Sequence, residues 1–169
     1  MARPDHTPAA HALALLRILV GGILIVAAFG KMTFYAVGGA VPLPVASAVW
    51  QRELPARLAL WLQGSSDGVT AAIVRDLLIP NGPLVAGGIA WLQLTAGALL
   101  VLGLFTRTAA AAAALVAAAL TLAASAAGGV DQRPYQLLLA MSIAFIAGNA
   151  GHSWGLDAWR AEQRRHREF

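Results

Sequence analysis

Four long apolar runs dominate the chain, at about residues 9 to 34, 83 to 105, 107 to 127 and 134 to 150, and shorter polar clusters separate them. A hydrocarbon crossing takes roughly 20 residues. In lipid the backbone must satisfy its own N–H and C=O groups, so each run is expected to be helical. The pattern predicts an all-α integral membrane protein: a four-helix bundle whose fourth span is the shortest. The breakers sit where such a bundle needs them. "IPNGP" opens the second span, "FTR" closes it, and "GGVDQRPY" separates the third from the fourth. The first run outlasts the apolar core of a signal peptide, and no small-residue cleavage site follows Lys31, so it is expected to stay as a span.

Residues 35 to 82 form the one long connection, read here as an outer extramembrane loop. Within it, "VASAVWQRELPARLALWLQG" sets Val45, Val49, Trp50, Leu54, Leu58 and Trp61 near one helical face, with Gln51, Arg52, Glu53 and Arg57 largely elsewhere. Pro55 interrupts or restarts that helix. A second piece, "SSDGVTAAIVRDLLIPNG", begins with the capping residues Ser66 and Asp67 and stacks Val69, Ile73 and Leu77 on one side. Two short interfacial helices are therefore expected across the outer mouth, anchored in the bilayer interface by Trp50 and Trp61.

Composition agrees with a membrane protein. Of 169 residues 59% are hydrophobic and 12% charged, and mean hydropathy is +0.68, whereas soluble domains run at about a quarter charged. There is no Cys, which excludes a disulfide framework or a thiol redox centre within this chain. His6, His11, His152 and His166 are scattered, without the paired spacing of a metal or haem site, and no Gly-rich phosphate loop follows a strand. The tail over residues 151 to 169 carries Arg160, Arg164, Arg165 and Arg167. It suits anionic lipid better than nucleic acid. An even number of spans with this basic end implies that both termini are cytoplasmic.

The ionisable and amide groups inside the apolar runs are the candidates for chemistry, because a charge at the bilayer centre costs about 2.5 to 3.5 kcal/mol on insertion scales. Arg17 and Lys31 are fourteen residues apart on the first span, about 21 Å along a helix axis. They lie within about 40° of one face, with Gly21, Leu24 and Ala28 between them. Two accounts fit. Each cation snorkels to its own interface and pins the helix, or the stripe faces the bundle and its ends bind polar or anionic groups such as a quinone carbonyl or a sulfur oxyanion. On the second span Gln93 sits well inside the run, placed to hydrogen-bond across helices or to orient a ligand. Trp91 is its neighbour in sequence. After the fourth span, "GNAGHSWGLDAWR" offers Asn149, His152 and Asp157; His152 is either a proton carrier or a solvated helix end.

Three segments together resemble the DoxX/DoxD family of small four-helix membrane proteins: "LLRILVGGILIVAAFGKM", "WLQLTAGALLVLGLFTR" and "GNAGHSWGLDAW". The long first loop ending in "IPNG" is similar to the DoxD branch, the membrane subunit of thiosulfate:quinone oxidoreductase. The resemblance puts Arg17, Lys31, Arg107 and Asp157 on positions of the family's motifs. It implies a subunit of a quinone-linked oxidoreductase in a bacterial or archaeal-type plasma membrane, with quinone as cofactor, a second protein subunit as partner, and room for a homodimer. Quinone would enter between the first two spans, with Arg17 and Lys31 as polar anchors, Gln93 as a hydrogen-bond donor and Trp91 in the wall. One departure matters. The family commonly carries Glu in the "E-L-x-x-G" of the second span, and here Gln93 stands in "QLTAG". An amide neither neutralises a cation nor relays protons. The alternative is a non-catalytic scaffold that docks a redox or cell-envelope partner through residues 35 to 82 and the basic tail. Transport is a weaker third, since the chain has no inverted repeat.

Overall fold

The computed structural model describes residues 8–37, 41–64, 68–125, 133–148, 156 and 163. Asn149, His152, Asp157, the tail cations Arg160, Arg164, Arg165 and Arg167, and the expected caps Ser66 and Asp67 lie outside the described residues. In chain order the elements are α1 (Pro8–Phe29), β1 (Met32–Val37), β2 (Val41–Ala46), α2 (Ala48–Gln63), α3 (Val69–Ile73) running into a π-helical turn (Val74–Leu78), α4 (Gly82–Leu102), α5 (Thr106–Ser125) and α6 (Arg133–Ala147). The chain is mostly helical. Among the described residues two stretches, Ala10–Phe29 and Gly82–Leu102, are long and apolar enough to cross a membrane, whereas the apolar stretches Thr106–Thr121 and Arg133–Ala147 are shorter.

α1 and α4 meet backbone to backbone. A Cβ added to Gly21 would lie 2.8 Å from the Gly97 carbonyl oxygen, and one added to Gly97 would lie 2.8 Å from the Gly21 oxygen. Small residues in membrane helices permit this kind of approach. Gly21 also faces Val101, and Gly97 faces Ile25, so residue numbers rise along one helix as they fall along the other. The pair is antiparallel. Around this seam, Val20 and Leu24 of α1, Ala96 and Leu100 of α4, Ala109, Ala110 and Ala113 of α5, and Phe145 of α6 form one buried cluster. The alanine-rich α5 thus acts as a close-packing face, as its composition suggests.

The α4–α5 turn is tight because Gly103 takes the left-handed conformation at φ 63°. Its N–H donates to Leu100 and that of Leu104 to Leu99, the paired bonds of a Schellman end.

The outer segment corrects two expectations. First, α1 stops at Phe29, and residues expected to continue the span or enter a loop form an antiparallel hairpin, with Met32 opposite Ala46 and Tyr35 opposite Leu43. The β-prone Thr33, Phe34 and Tyr35 follow Gly30, while Pro42 and Pro44 lack the N–H a helix needs and are tolerated on an edge strand. The outer connection is therefore not wholly helical. Second, α2 runs through Pro55 without restarting. Ser47 caps its start, accepting from Trp50 N–H at 3.1 Å. Pro55 is pressed against α4: a Cβ on Gly82 would overlap its Cγ. α2 and the following π-turn then bury Leu54, Leu58, Trp61 and Val74 against Ala86 of α4.

Replacing Gly97 with Val is expected to force α1 and α4 apart, at a cost of about 1 to 3 kcal/mol or more. Gly87→Val on the same helix meets open space and should be far milder. Thermal unfolding in detergent, followed by tryptophan fluorescence, gives the ranking; equal losses would mean the seam is not a tight contact.

Candidate functional site

The α1–α4 register decides which polar groups meet. Ile25 is level with Gly97, so Gln93, one turn before Gly97, comes level with Phe29, just short of Lys31. Both side chains do line one cavity, of about 40 Å³, at the end of α1 beneath the outer segment. Its other lining residues are Trp50, Leu54, Arg57 and Trp61 of α2, Ile89 of α4, Leu120 of α5 and Tyr135 of α6. Room for a water needs roughly 10 to 15 Å³ on this scale, so the closed space suits about three waters.

Lys31 is half-buried. Its Nζ donates to the Ala27 carbonyl at 2.9 Å, satisfying one of the open carbonyls at the end of α1. The ammonium also stands 5.2 Å from the centre of the Trp50 ring, within cation–π range. Burial lowers its pKa from 10.5, and the neighbouring Arg57 cation lowers it further. Arg57 itself pairs with Glu53 at 3.3 Å on the exposed side of α2, a contact worth little at a surface. The Trp50 indole N–H donates to Ala86 O at 3.1 Å, fastening the start of α2 to α4.

Gln93 is 6% exposed, and its Oε1 accepts no hydrogen bond among the described residues. A buried acceptor left so costs about 1 to 3 kcal/mol. It is the polar atom in the cavity that a ligand or water would satisfy.

The expected site residues separate. Lys31 and Gln93 come together; Arg17 does not join them. It is fully buried on the same face of α1, which rules out a side chain snorkelling to water, and the register sets it level with the α4–α5 turn, where Thr106 is also buried. The stripe from Arg17 to Lys31 faces inward throughout, with Gly21, Leu24 and Ala28 buried. Trp91 does not line this cavity: it is exposed, on nearly the opposite side of α4 from Gln93. Trp50 and Trp61 are corrected, for both turn inward onto the cavity rather than outward to the interface. Arg107 is exposed at the start of α5. Arg57 and Tyr135 were not singled out by sequence; Tyr135 had only the signal of an aromatic at the start of the fourth apolar run.

The family model described as DoxX matches residues 12–126, which spans α1, the outer segment, α4 and α5. The chain belongs to the DoxX family. Comparison with curated proteins and with solved structures found no match. The match contains Arg17, Lys31, Gln93 and Arg107 and all of the cavity except Tyr135, so this DoxX protein carries the core of its candidate site within the family's own segment.

Because the folded state lowers the Lys31 pKa, the unfolded chain binds more protons between the lowered value and 10.5. The Lys31 contribution to stability therefore rises with pH across that window and is complete above 10.5. Melting temperatures of the wild type relative to Lys31→Met, measured from neutral pH upward, should climb; a decline would mean that the fold favours the ammonium.

Proposed function

We propose that this DoxX protein is the membrane subunit of a quinone-linked oxidoreductase acting on a small sulfur compound such as thiosulfate, together with a second protein subunit. In this reading α1, α4, α5 and α6 all cross the membrane and both termini are cytoplasmic. The observation that carries it is the convergence of the Lys31 ammonium and the Gln93 amide on one enclosed, aromatic-walled cavity. A quinone, when bound, supplies the two-electron acceptor. Lys31 offers a charged donor to a carbonyl oxygen, since an ammonium carries more donors than its single bond to Ala27 uses. Gln93 offers both an amide donor and the unsatisfied Oε1 acceptor, which suits a ring oxygen in either its carbonyl or its hydroxyl form.

The polar groups fit such a head group; the closed volume does not. Sites for drug-sized ligands run to about 300 Å³ and above, several times the 40 Å³ enclosed here. The reading therefore requires α2 to lift, breaking the Trp50–Ala86 bond. The α1–α4 seam is closed at Gly21 and Gly97, which leaves the outer end for access. Gln93 in place of the family's Glu argues that protons are taken up elsewhere than on this side chain.

The test is thiosulfate-dependent reduction of a soluble quinone by the full chain, purified with its partner. Lys31→Met and Gln93→Leu are each expected to lower kcat/KM about tenfold, the kinetic equivalent of about 1.4 kcal/mol of lost polar contact. Absence of turnover with the partner present, and of quinone in lipid extracts of the protein, would overturn the proposal.

A further inference from the structure

The outer segment turns its tryptophans inward, yet it leaves other large apolar side chains uncovered, and these form two tracts. The first continues α1. Leu15, Leu19, Ile23, Val26 and Phe29 are all exposed along one side of that helix. The Phe29 ring meets that of Phe34 at 6.0 Å between centroids, carrying the tract onto the hairpin, where Tyr35 (67%) and its cross-strand partner Leu43 (48%) are also exposed. The second tract leads into α4. Val69 (79%), Ile73 and Leu77 follow helical spacing along α3 and the π-turn, and Leu84 (77%) continues their exposure into α4. α1 and α4 are both long and apolar enough to cross a membrane, so each tract is continuous with a membrane-crossing surface.

We propose that the strands Met32–Val37 and Val41–Ala46 and residues 69–77 are seated in the outer bilayer interface, so that α2 lies between two lipid-embedded flanks. The occupant of both tracts is lipid. Depth follows from the backbone. A two-stranded hairpin has unpaired N–H and C=O groups on both edges, which hydrocarbon cannot satisfy and the hydrated headgroup layer can. Pro42 and Pro44 remove two of those donors. Phe and Tyr side chains suit this layer, and Arg75 and Asp76, both exposed beside Ile73 and Leu77, reach the polar side of it. On this arrangement the cavity lies at the depth of the lipid headgroups and upper chains, within reach of a lipid-soluble ligand. The inference does not depend on the redox reading.

The chain has no native Cys, so single cysteines can be spin-labelled without background. Tyr35→Cys, Leu43→Cys, Ile73→Cys and Leu77→Cys alter exposed side chains. Leu19→Cys on α1 serves as the lipid reference and Arg52→Cys on the exposed side of α2 as the aqueous one. In nanodiscs of phosphatidylcholine and phosphatidylglycerol, the ratio of collisions with oxygen to collisions with a water-soluble nickel chelate reports depth. Ratios between those of the two references are expected at all four positions. Values equal to the aqueous reference would overturn the proposal. So would protection from both reagents, the signature of a second copy or another protein covering the tracts. Because the readout is position and not turnover, it stands or fails separately from the quinone assay.

Discussion

The backbone contact between Gly21 and Gly97 sets the rest of this structure. Two helices that touch at their backbones have little freedom to slide or rotate, because a shift of one helical turn would bring Val101 or Ile25 into a position that has room only for a glycine. The register so fixed brings Gln93 beside Lys31 and separates Arg17 from both by the length of the span. It also brings the start of α4 under the outer segment, where Gly82 receives Pro55 and the Ala86 carbonyl receives the Trp50 indole. The cavity is the space left between this rigid pair and the helix lying over its end.

Much of this was legible in the chain. The 3.6-residue period placed Arg17, Gly21, Leu24, Ala28 and Lys31 on one face, and that face is the inward one. The α2 stripe of Leu54, Leu58 and Trp61 was likewise readable, and it is buried. What periodicity does not carry is the identity of the facing surface. A tryptophan stripe on an interfacial helix satisfies the pattern equally well against lipid or against protein, and here Trp50 has a carbonyl to bond on α4, which decides the matter. Trp91 and Gln93 illustrate the same limit on a smaller scale: two residues apart on a helix means nearly opposite faces. The hairpin was missed because its strands are short and follow directly from an apolar helix, so hydrophobicity alone extended the span past Gly30. The prolines on β2 were the available signal against helix.

Lys31 has two accounts that the geometry joins. As a structural residue it closes the end of α1 by bonding Ala27 and stacking over Trp50, which connects that helix to α2. As a site residue it supplies a partly desolvated charge to a cavity that a second cation, Arg57, also lines among the described residues. A residue needed solely as a cap would do as well facing water, where its ammonium would be fully solvated. Placing it against a ring and a cavity gives up hydration, and the lowered pKa records that loss.

Gln93 likewise gives up hydration at the cavity. A well-packed apolar side chain at this level of α4 would avoid the cost of an unsatisfied buried oxygen, and the surrounding Ile89 and Leu120 show that apolar lining is accommodated. An amide there gains from any partner that occupies the cavity and donates to its Oε1. Water alone can be that partner, and about three waters fit. Anything larger must come with movement of α2, whose hold on α4 combines one indole hydrogen bond with the packing of Leu54, Leu58 and Trp61. The α1–α4 seam is packed backbone to backbone at Gly21 and Gly97, so in the proposed reading α2 is the boundary that moves, and there ligand size and α2 displacement are one variable.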